Sequence, residues 1–264
     1  MYTNFFEVNR KLWNDKTKIH IDSDFYDVAA FKAGQSSLNP IELDLLGDVS
    51  GKKILHLQCH FGMDSLSLAK LGAKVVGVDL SDQAIEKARE LRDELGLAAE
   101  FICCNIYDLP QHLSDQFDLV FTSYGVIGWL PDLDKWANIV QQFLKPEGKF
   151  VMVEFHPVLN MIGWKWDGTL PYSYFNQGVL LEENEGSYTD RSAPIKNLSA
   201  EWDHSLAEVF TALLNQNLQL IHFQEYDYSP YNCFDEATKL ADGNWQIKGM
   251  EGKVPLLFSL LFQK

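Results

Sequence analysis

Cysteine, long apolar runs and positive charge are all scarce in this chain. The four cysteines have neither the spacing of a zinc site nor the density of a disulfide framework, so we expect free thiols and no metal site. No apolar run approaches the roughly 18 residues of a membrane span, and no basic and apolar leader opens the sequence. We therefore predict a cytoplasmic protein that makes no use of a membrane.

Basic residues are outnumbered, with 22 of them against 37 acidic ones and a net charge of −15. A surface of that sign repels phosphate backbones, and no basic patch offsets it, so nucleic acid is not expected as a substrate. In other respects the composition is ordinary. With 46% hydrophobic residues over 264 positions, the chain is typical of one folded α/β domain with elaborations.

The most informative stretch opens with an apolar-rich strand, Ile54 to Leu57, which an abrupt turn follows at Gln58–Gly62. A helix, Met63 to Leu71, leads to a nearly all-apolar second strand, Val75 to Val78, that ends in Asp79. All-apolar strands are expected in a parallel sheet that helices cover on both faces. A strand, turn, helix and strand closed by an acid bind adenosine-containing cofactors, with the acid on the ribose hydroxyls.

The shortage of glycine in the turn bears on which cofactor it binds. A dinucleotide site needs G-x-G-x-x-G so that backbone amides can approach a pyrophosphate, whereas Gln58–Gly62 keeps one glycine and has no cation close by. The segment HLQCHFG instead resembles motif I of the class I S-adenosylmethionine-dependent methyltransferases, in which an acid is followed by G-x-G-x-G. In this resemblance His56 stands at the acid, and Gln58 and His60 stand at two of the glycines.

The resemblance covers roughly Lys52 to Pro157 and resumes at the C-terminus. It implies that Asp79 holds the ribose, that Asn105 reads the adenine amino group, and that Gln58 binds the methionine amino or carboxylate group. Asn105 can alternatively be a turn residue without a ligand. The implied set of cofactor-binding residues is Gln58, His60, Phe61, Gly62, Asp79, Leu80, Asn105, Ile106 and Ser123.

The order of the elements, together with the resemblance, predicts the fold class. We expect an α/β, Rossmann-like sheet of seven mostly parallel strands with an antiparallel last strand and helices on both faces. A single methyltransferase domain is predicted, made of an N-terminal helical lid (1–50), a cofactor-binding core (51–156), a cap insertion (157–202) and the C-terminal part of the core (203–264).

The two segments outside the core are predicted to cover the site. An apolar stripe at helical spacing runs from Tyr2 to Asn14, and His20, Tyr26 and Phe31 follow as candidates to touch cofactor or substrate. The alternative is that each is a packing residue, which is the more common role of an aromatic residue in such a segment. The insertion is rich in aromatic residues, Trp164 among them, so it has the composition of a folded cap and not of a disordered loop.

Methyl transfer from a sulfonium is an in-line displacement, so alignment and exclusion of water supply much of the catalysis. A base is needed only if the acceptor arrives protonated. His156, after the predicted fifth strand, is the first candidate, with Tyr124 and His204 behind it. Each of the three can instead be a hydrogen-bonded structural residue. The rings of Phe61, Tyr124 and Trp129 are candidates to attract the sulfonium cation.

Three functions remain open from the sequence. The leading one is an S-adenosylmethionine-dependent methyltransferase that acts on a small molecule and releases S-adenosylhomocysteine, which the acidity and the aromatic cap favour. The second is a nicotinamide-dependent oxidoreductase, which shares the strand, turn, helix and acid but needs more glycine at the turn. The third is a non-catalytic nucleoside-binding protein that has lost the cofactor along with its glycines.

Overall fold

The computed structural model describes residues 3–163, 166–232 and 234–264, so Tyr2 and Trp164 lie outside the described residues. Three helices come first: α1 (Thr3–His20), α2 (Val28–Lys32) and α3 (Pro40–Leu46). The core then alternates strands with helices: β1 (Lys53–Leu57), α4 (Met63–Lys70), β2 (Lys74–Asp79), α5 (Asp82–Leu95), β3 (Ala99–Cys103), a 3₁₀ helix (Ile106–Gln111), β4 (Phe117–Ser123), a second 3₁₀ helix (Ile127–Trp129), α6 (Leu133–Phe143) and β5 (Leu144–Phe155).

The remaining elements are α7 (Pro157–Ile162), β6 (Leu180–Glu185), β7 (Lys196–Glu201), α8 (Leu206–Leu214), β8 (Gln219–Tyr226), β9 (Ala237–Lys239), β10 (Trp245–Ile247) and β11 (Leu257–Gln263). No helix among the described residues has both the length and the apolarity to cross a bilayer.

One seven-stranded sheet forms the centre of the molecule, in the order β3-β2-β1-β4-β5-β11-β8. β11 runs antiparallel to β5 and to β8, and the pairs among β1 to β5 are parallel. The predicted fold class is therefore confirmed. The strand order reverses between β1 and β4, and in open sheets of this kind ligands bind outside the carboxyl ends of the strands at that point.

The N-terminal helix is longer than predicted, because α1 continues past Asn14 to His20. Thr17 and His20 are buried, as Asn9 is, although all three are polar. The side-chain amide of Asn9 donates to the carbonyl oxygen of Ala200 at 2.7 Å and accepts from its N–H at 2.9 Å. Apolar periodicity missed the extension because polar residues continue the buried stripe.

The insertion between β5 and α8 has structure of its own. After the short helix α7, strands β6 and β7 pair antiparallel, from Leu180 opposite Glu201 to Glu185 opposite Lys196. β7 packs along α1, so the insertion and the N-terminal helix cover the same side of the core.

The ring of Phe101 packs between the turn after β1 and strand β2. Phe101 lies opposite Gly77 in the pairing of β2 with β3. A methyl group at Gly77 would lie 2.8 Å from this ring and 2.9 Å from the sulfur of Cys59, and one at Gly62 would lie 2.7 Å from the same ring. Both positions therefore need glycine so that the ring can pack between the turn and the sheet.

We expect Gly77→Ala to lower the free energy of unfolding by about 1–3 kcal/mol, because the added methyl overpacks a rigid part of the core. Gly128→Ala is the matched control, since its methyl would meet only a carbonyl oxygen at 3.8 Å, and it should change the free energy by less than about 0.5 kcal/mol. Urea unfolding followed by circular dichroism measures both. Equal stability of the two variants would contradict the packing argument.

Candidate active site

A cavity of about 850 Å³ lies at the carboxyl ends of β1, β2 and β4, where the strand order reverses. That volume is large enough for a cofactor and a small second ligand. All nine residues of the predicted cofactor set line it: Gln58, His60, Phe61, Gly62, Asp79, Leu80, Asn105, Ile106 and Ser123. The sequence prediction therefore brought together residues that share one cavity.

The turn after β1 has the backbone of a glycine-rich motif, although two of its residues are not glycine. Gln58, His60 and Gly62 have φ values of 55°, 51° and 79°, all in the left-handed region. Such a conformation costs a non-glycine residue about 1–3 kcal/mol and persists only where neighbours fix it. The Gln58 amide nitrogen donates to the carbonyl oxygen of Val126 at 2.9 Å, and the His60 N–H donates to Asp79 at 2.8 Å. These bonds hold the turn in the shape that glycine adopts freely.

Asp79 is placed by the turn and faces the cavity. One carboxylate oxygen accepts from the His60 N–H and the other from the Ser81 N–H, both at 2.8 Å. Burial raises the pKa of Asp79, and the backbone bonds act in the opposite direction. Because a carboxylate can accept about four hydrogen bonds, capacity remains for two ribose hydroxyls.

Two polar atoms of the turn are buried and have no partner among the described residues: Gln58 Oε1 and His60 Nδ1. A buried polar atom without a hydrogen bond costs about 1–3 kcal/mol, so such atoms point to a missing partner. Both residues line the cavity, and a ligand with a donor and an acceptor at this end would satisfy them. The residues present therefore fit the zwitterionic end of a methionine group.

His56, at the position that the resemblance gives to an acid, does not supply a charge. Its Nδ1 lies 2.8 Å from the hydroxyl of Ser65, and its ring packs 4.9 Å from that of Phe121. Burial lowers its pKa to about 3, so the imidazole is neutral at pH 7. This position is thus a buried, neutral, hydrogen-bonded residue that also lines the cavity.

Asn105 combines the two interpretations left open by the sequence. Its side-chain oxygen accepts from the Tyr107 N–H at 3.0 Å and caps the 3₁₀ helix, as a turn residue does. The same side chain lines the cavity, together with the buried Ile106 and the half-buried Leu80. The cap bond uses one of the two lone pairs of the oxygen, so the side chain can still accept from an amino group, and its amide nitrogen can donate to a ring nitrogen.

A buried acid that the sequence analysis did not single out fixes the loop after β4. The Glu154 carboxylate accepts from the backbone N–H groups of Gly125, Val126, Ile127 and its neighbour Phe155. Burial raises its pKa, and these four bonds oppose the shift. Its signal in the sequence was an acid inside the otherwise apolar end of β5.

Of the three candidate bases, only Tyr124 lines the cavity. Burial and the nearby Glu42 raise the pKa of the Tyr124 hydroxyl well above its usual value. Asn39 joins this group, since its amide nitrogen donates to Glu42 at 3.1 Å and to the Tyr231 hydroxyl at 2.9 Å. Glu42 is fully buried, and burial together with the charge of Asp64 raises its pKa to about 8.

His156 and His204 lie outside the cavity lining and correct the sequence prediction. His156 Nδ1 accepts from the Val158 N–H at 3.2 Å as the N-cap of α7, and its Nε2 lies 3.0 Å from a carboxylate oxygen of Glu225. His204 Nε2 donates to the carbonyl oxygen of Leu130 at 2.7 Å. Burial lowers the pKa of both rings. Both are structural residues, the alternative that the sequence left open.

Some of the aromatic and histidine candidates line the cavity and others do not. Phe61 and Trp129 line the cavity as predicted, and so do Tyr26 and Phe31 from the N-terminal segment. His20 does not line it, but is fully buried behind the turn.

Residues 48–208 match the sequence pattern of the methyltransferase domain family. The chain belongs to this family. The ubiquinone biosynthesis O-methyltransferase of Chromobacterium violaceum is 29% identical over 114 residues, which are 42% of this chain and 49% of that protein. An uncharacterized methyltransferase of Synechocystis is 32% identical over 132 residues, 50% of this chain and 60% of its own. The chain thus spans about half the length of the first of these curated relatives.

Solved structures agree on the fold. That of an S-adenosylmethionine-dependent methyltransferase from Listeria monocytogenes has a TM-score of 0.62 at 19% identity, and covers 89% of this chain and 99% of its own. The match of residues 48–208 to the methyltransferase domain family confirms the methyltransferase prediction at the level of the family, in preference to the nicotinamide-dependent oxidoreductase.

The buried Glu42 predicts a pH dependence of stability. Between its ordinary pKa of 4.5 and about 8, Glu42 holds a proton in the folded state but not in the unfolded state, so stability falls as pH rises through this range. The slope is about 1.4 kcal/mol per pH unit. Glu42→Gln keeps the shape without the charge and should gain a few kcal/mol over the wild type at pH 8.

Urea unfolding at pH 5 and pH 8 checks this, with the exposed Glu100→Gln as control. The buried histidines have the opposite effect, because the protein loses stability as pH falls below 6.5 and these residues become protonated in the unfolded state. Comparing variant with wild type at each pH cancels this contribution. A gain that is the same at both pH values would refute the assignment.

Proposed function

We propose that this protein transfers a methyl group from S-adenosylmethionine to a small-molecule acceptor within the cavity at the end of β1, β2 and β4. The observation that carries the proposal is the turn after β1, whose left-handed backbone at Gln58, His60 and Gly62 keeps the form of a glycine motif. A fold that holds two non-glycine residues in that form retains a shape that the cofactor requires.

In this proposal the cofactor lies along the edge of the sheet. Leu80 and Ile106 enclose the adenine, Asn105 donates to it, and Asp79 accepts from the ribose hydroxyls. At the other end Gln58 Oε1, which lacks a partner among the described residues, accepts from the methionine ammonium. The bound sulfonium supplies an activated methyl group, and the chain supplies alignment of the acceptor and exclusion of water.

The N-terminal segment (residues 1–50) acts as the lid and the insertion (residues 157–202) as the cap, as the sequence predicted. Both contribute to the lining, with Trp13 and Tyr26 from the lid and Glu182 and Tyr188 from the cap. A cavity enclosed from two sides suits an acceptor of small size, and the net charge of −15 disfavours nucleic acid. The free thiols of Cys59, Cys103 and Cys104 suit the cytoplasm as the compartment.

Tyr124 is the candidate to meet the acceptor. It follows β4 directly and lines the cavity, and the buried Glu42 carboxyl stands behind it. If the acceptor arrives protonated, Tyr124 can take the proton on its oxygen and pass its own to Glu42 only when that carboxyl is ionised, which requires a pH above its pKa of about 8. With a neutral amine or thiolate acceptor, Tyr124 serves only to orient it.

S-adenosylhomocysteine should raise the melting temperature of the wild-type protein, and Asp79→Ala should lower its affinity at least about tenfold, because two hydrogen bonds to a charged acceptor are removed. Asp79→Asn, which still accepts one backbone bond, is the second variant in case the turn collapses. The exposed Asp115→Asn, on an acid that pairs with Lys53, is the control and should keep full affinity. NAD should produce no shift, and an unchanged affinity in both Asp79 variants would remove the ribose assignment.

A further inference from the structure

A buried chain of hydrogen-bonding side chains joins the turn to the lid and the cap. His60 Nε2 lies 2.9 Å from His20 Nδ1, and His20 Nε2 lies 2.6 Å from the hydroxyl of Ser187. His60 belongs to the turn after β1, His20 is the last residue of α1, and Ser187 lies between β6 and β7. We call these three residues the His–His–Ser chain.

Aromatic rings surround the chain. The His20 ring stacks on that of Tyr26 at 5.4 Å and lies 4.6 Å from that of Tyr188, while the His60 ring stands edge-on to Trp13 at 5.3 Å. The Tyr188 hydroxyl also lies 3.4 Å from His20 Nδ1. The Lys16 ammonium lies among the same rings, 5.1 Å from the Trp13 ring and 5.8 Å from the Tyr188 ring, and in addition to burial its charge helps to lower the pKa of both imidazoles. Because the site is buried, the hydrogen bonds of the His–His–Ser chain do not compete with water.

Both imidazoles of the chain are neutral. Burial lowers the pKa of His20 to about 2 and that of His60 to about 3. A neutral imidazole carries one N–H, so the bond between the rings can run in either direction. Either His20 donates to His60, which puts the proton of His60 on Nδ1, or His60 donates to His20, which leaves Nδ1 as an acceptor.

The environment of His60, at one end of the His–His–Ser chain, decides between these two directions. His60 Nδ1 is buried without a partner among the described residues, on a side chain that lines the cavity at the turn. Gln58 contributes an unpaired acceptor to the same turn, which suits an ammonium group. A donor is then needed for the carboxylate beside that ammonium, and His60 Nδ1 is the other polar atom of the turn that lacks a partner among the described residues.

We propose that His60 Nδ1–H binds the carboxylate at the methionine end of the cofactor, and that this contact aligns the protons of the His–His–Ser chain. The Ser187 hydroxyl then donates to His20 Nε2, His20 Nδ1–H donates to His60 Nε2, and His60 Nδ1–H donates to the carboxylate. Cofactor binding thereby fixes the direction of the hydrogen bonds that join the lid and the cap to the turn. This inference rests on the proposed function and adds His20 and Ser187 to it as positioning residues.

Two ligands that differ in the methionine end test the proposal: S-adenosylhomocysteine, which carries the amino and carboxylate groups, and 5′-methylthioadenosine, which lacks them. His20→Phe keeps a ring but removes the donor to His60. It should lower the affinity for S-adenosylhomocysteine about tenfold, as expected for one hydrogen bond to a charged group, and leave that for 5′-methylthioadenosine within about twofold. Calorimetry measures both affinities.

His156→Gln is the matched control, because it also changes a buried, hydrogen-bonded histidine but one outside the cavity lining. It should alter neither affinity. Equal losses of both ligands in His20→Phe would show a merely structural role and overturn the proposal. If neither ligand binds the wild type, the proposed function fails instead, so the two failures are distinguishable.

Nitrogen-15 spectra of the wild-type histidines give a second test that does not depend on a variant folding. S-adenosylhomocysteine should fix His20 and His60 in the Nδ1–H form, whereas 5′-methylthioadenosine should leave the distribution of the free protein. Identical histidine spectra with the two ligands would contradict the proposal.

Discussion

The architecture of this site depends on holding a left-handed turn without the glycines that make such a turn easy. The carboxylate of Asp79 fixes the turn from one side, through the His60 N–H, and the carbonyl oxygen of Val126 fixes it from the other, through the Gln58 side chain. Each of these partners lies on a different strand end, so the turn keeps its shape only while β1, β2 and β4 stay in register. The shape of the turn therefore depends on the geometry of the sheet.

Two buried acids hold the loops at this edge of the sheet in place. Asp79 and Glu154 each use their carboxylates to gather backbone N–H groups from the loops at the sheet edge. A carboxylate that accepts several backbone bonds offsets much of the cost of its burial, and it orders a loop more strongly than a neutral acceptor does. Val126 connects the two arrangements, since its N–H donates to Glu154 while its carbonyl oxygen receives the bond from Gln58. Loss of either acid would disturb both loops.

Local sequence order was enough to predict the sheet, the turn and nine residues that line one cavity, because strand, turn and terminal acid follow one another along the chain. What it missed are residues whose role is set by distant partners. His156 looked like a base at a strand end, yet its nitrogens meet Val158 and Glu225, and the second of these lies on β8. Glu42 lies on the short helix α3 and was not singled out from the sequence, and the packing of α3 on β5 buries it. Tertiary contacts of polar side chains carry no periodic signal.

Histidine at position 60, where motif I has a glycine, makes the left-handed turn more strained but adds a side chain that can form a hydrogen bond. A glycine would adopt φ of 51° without strain but would offer the lid nothing to bind. The backbone of the histidine is strained at this φ, but its ring reaches the end of α1 and lies within hydrogen-bond distance of His20. The N-terminal segment is thus bonded to the same turn at which we propose that the cofactor binds. A side chain at position 60 therefore links the turn after β1 to the N-terminal segment by a hydrogen bond, which a turn built from glycine alone does not provide.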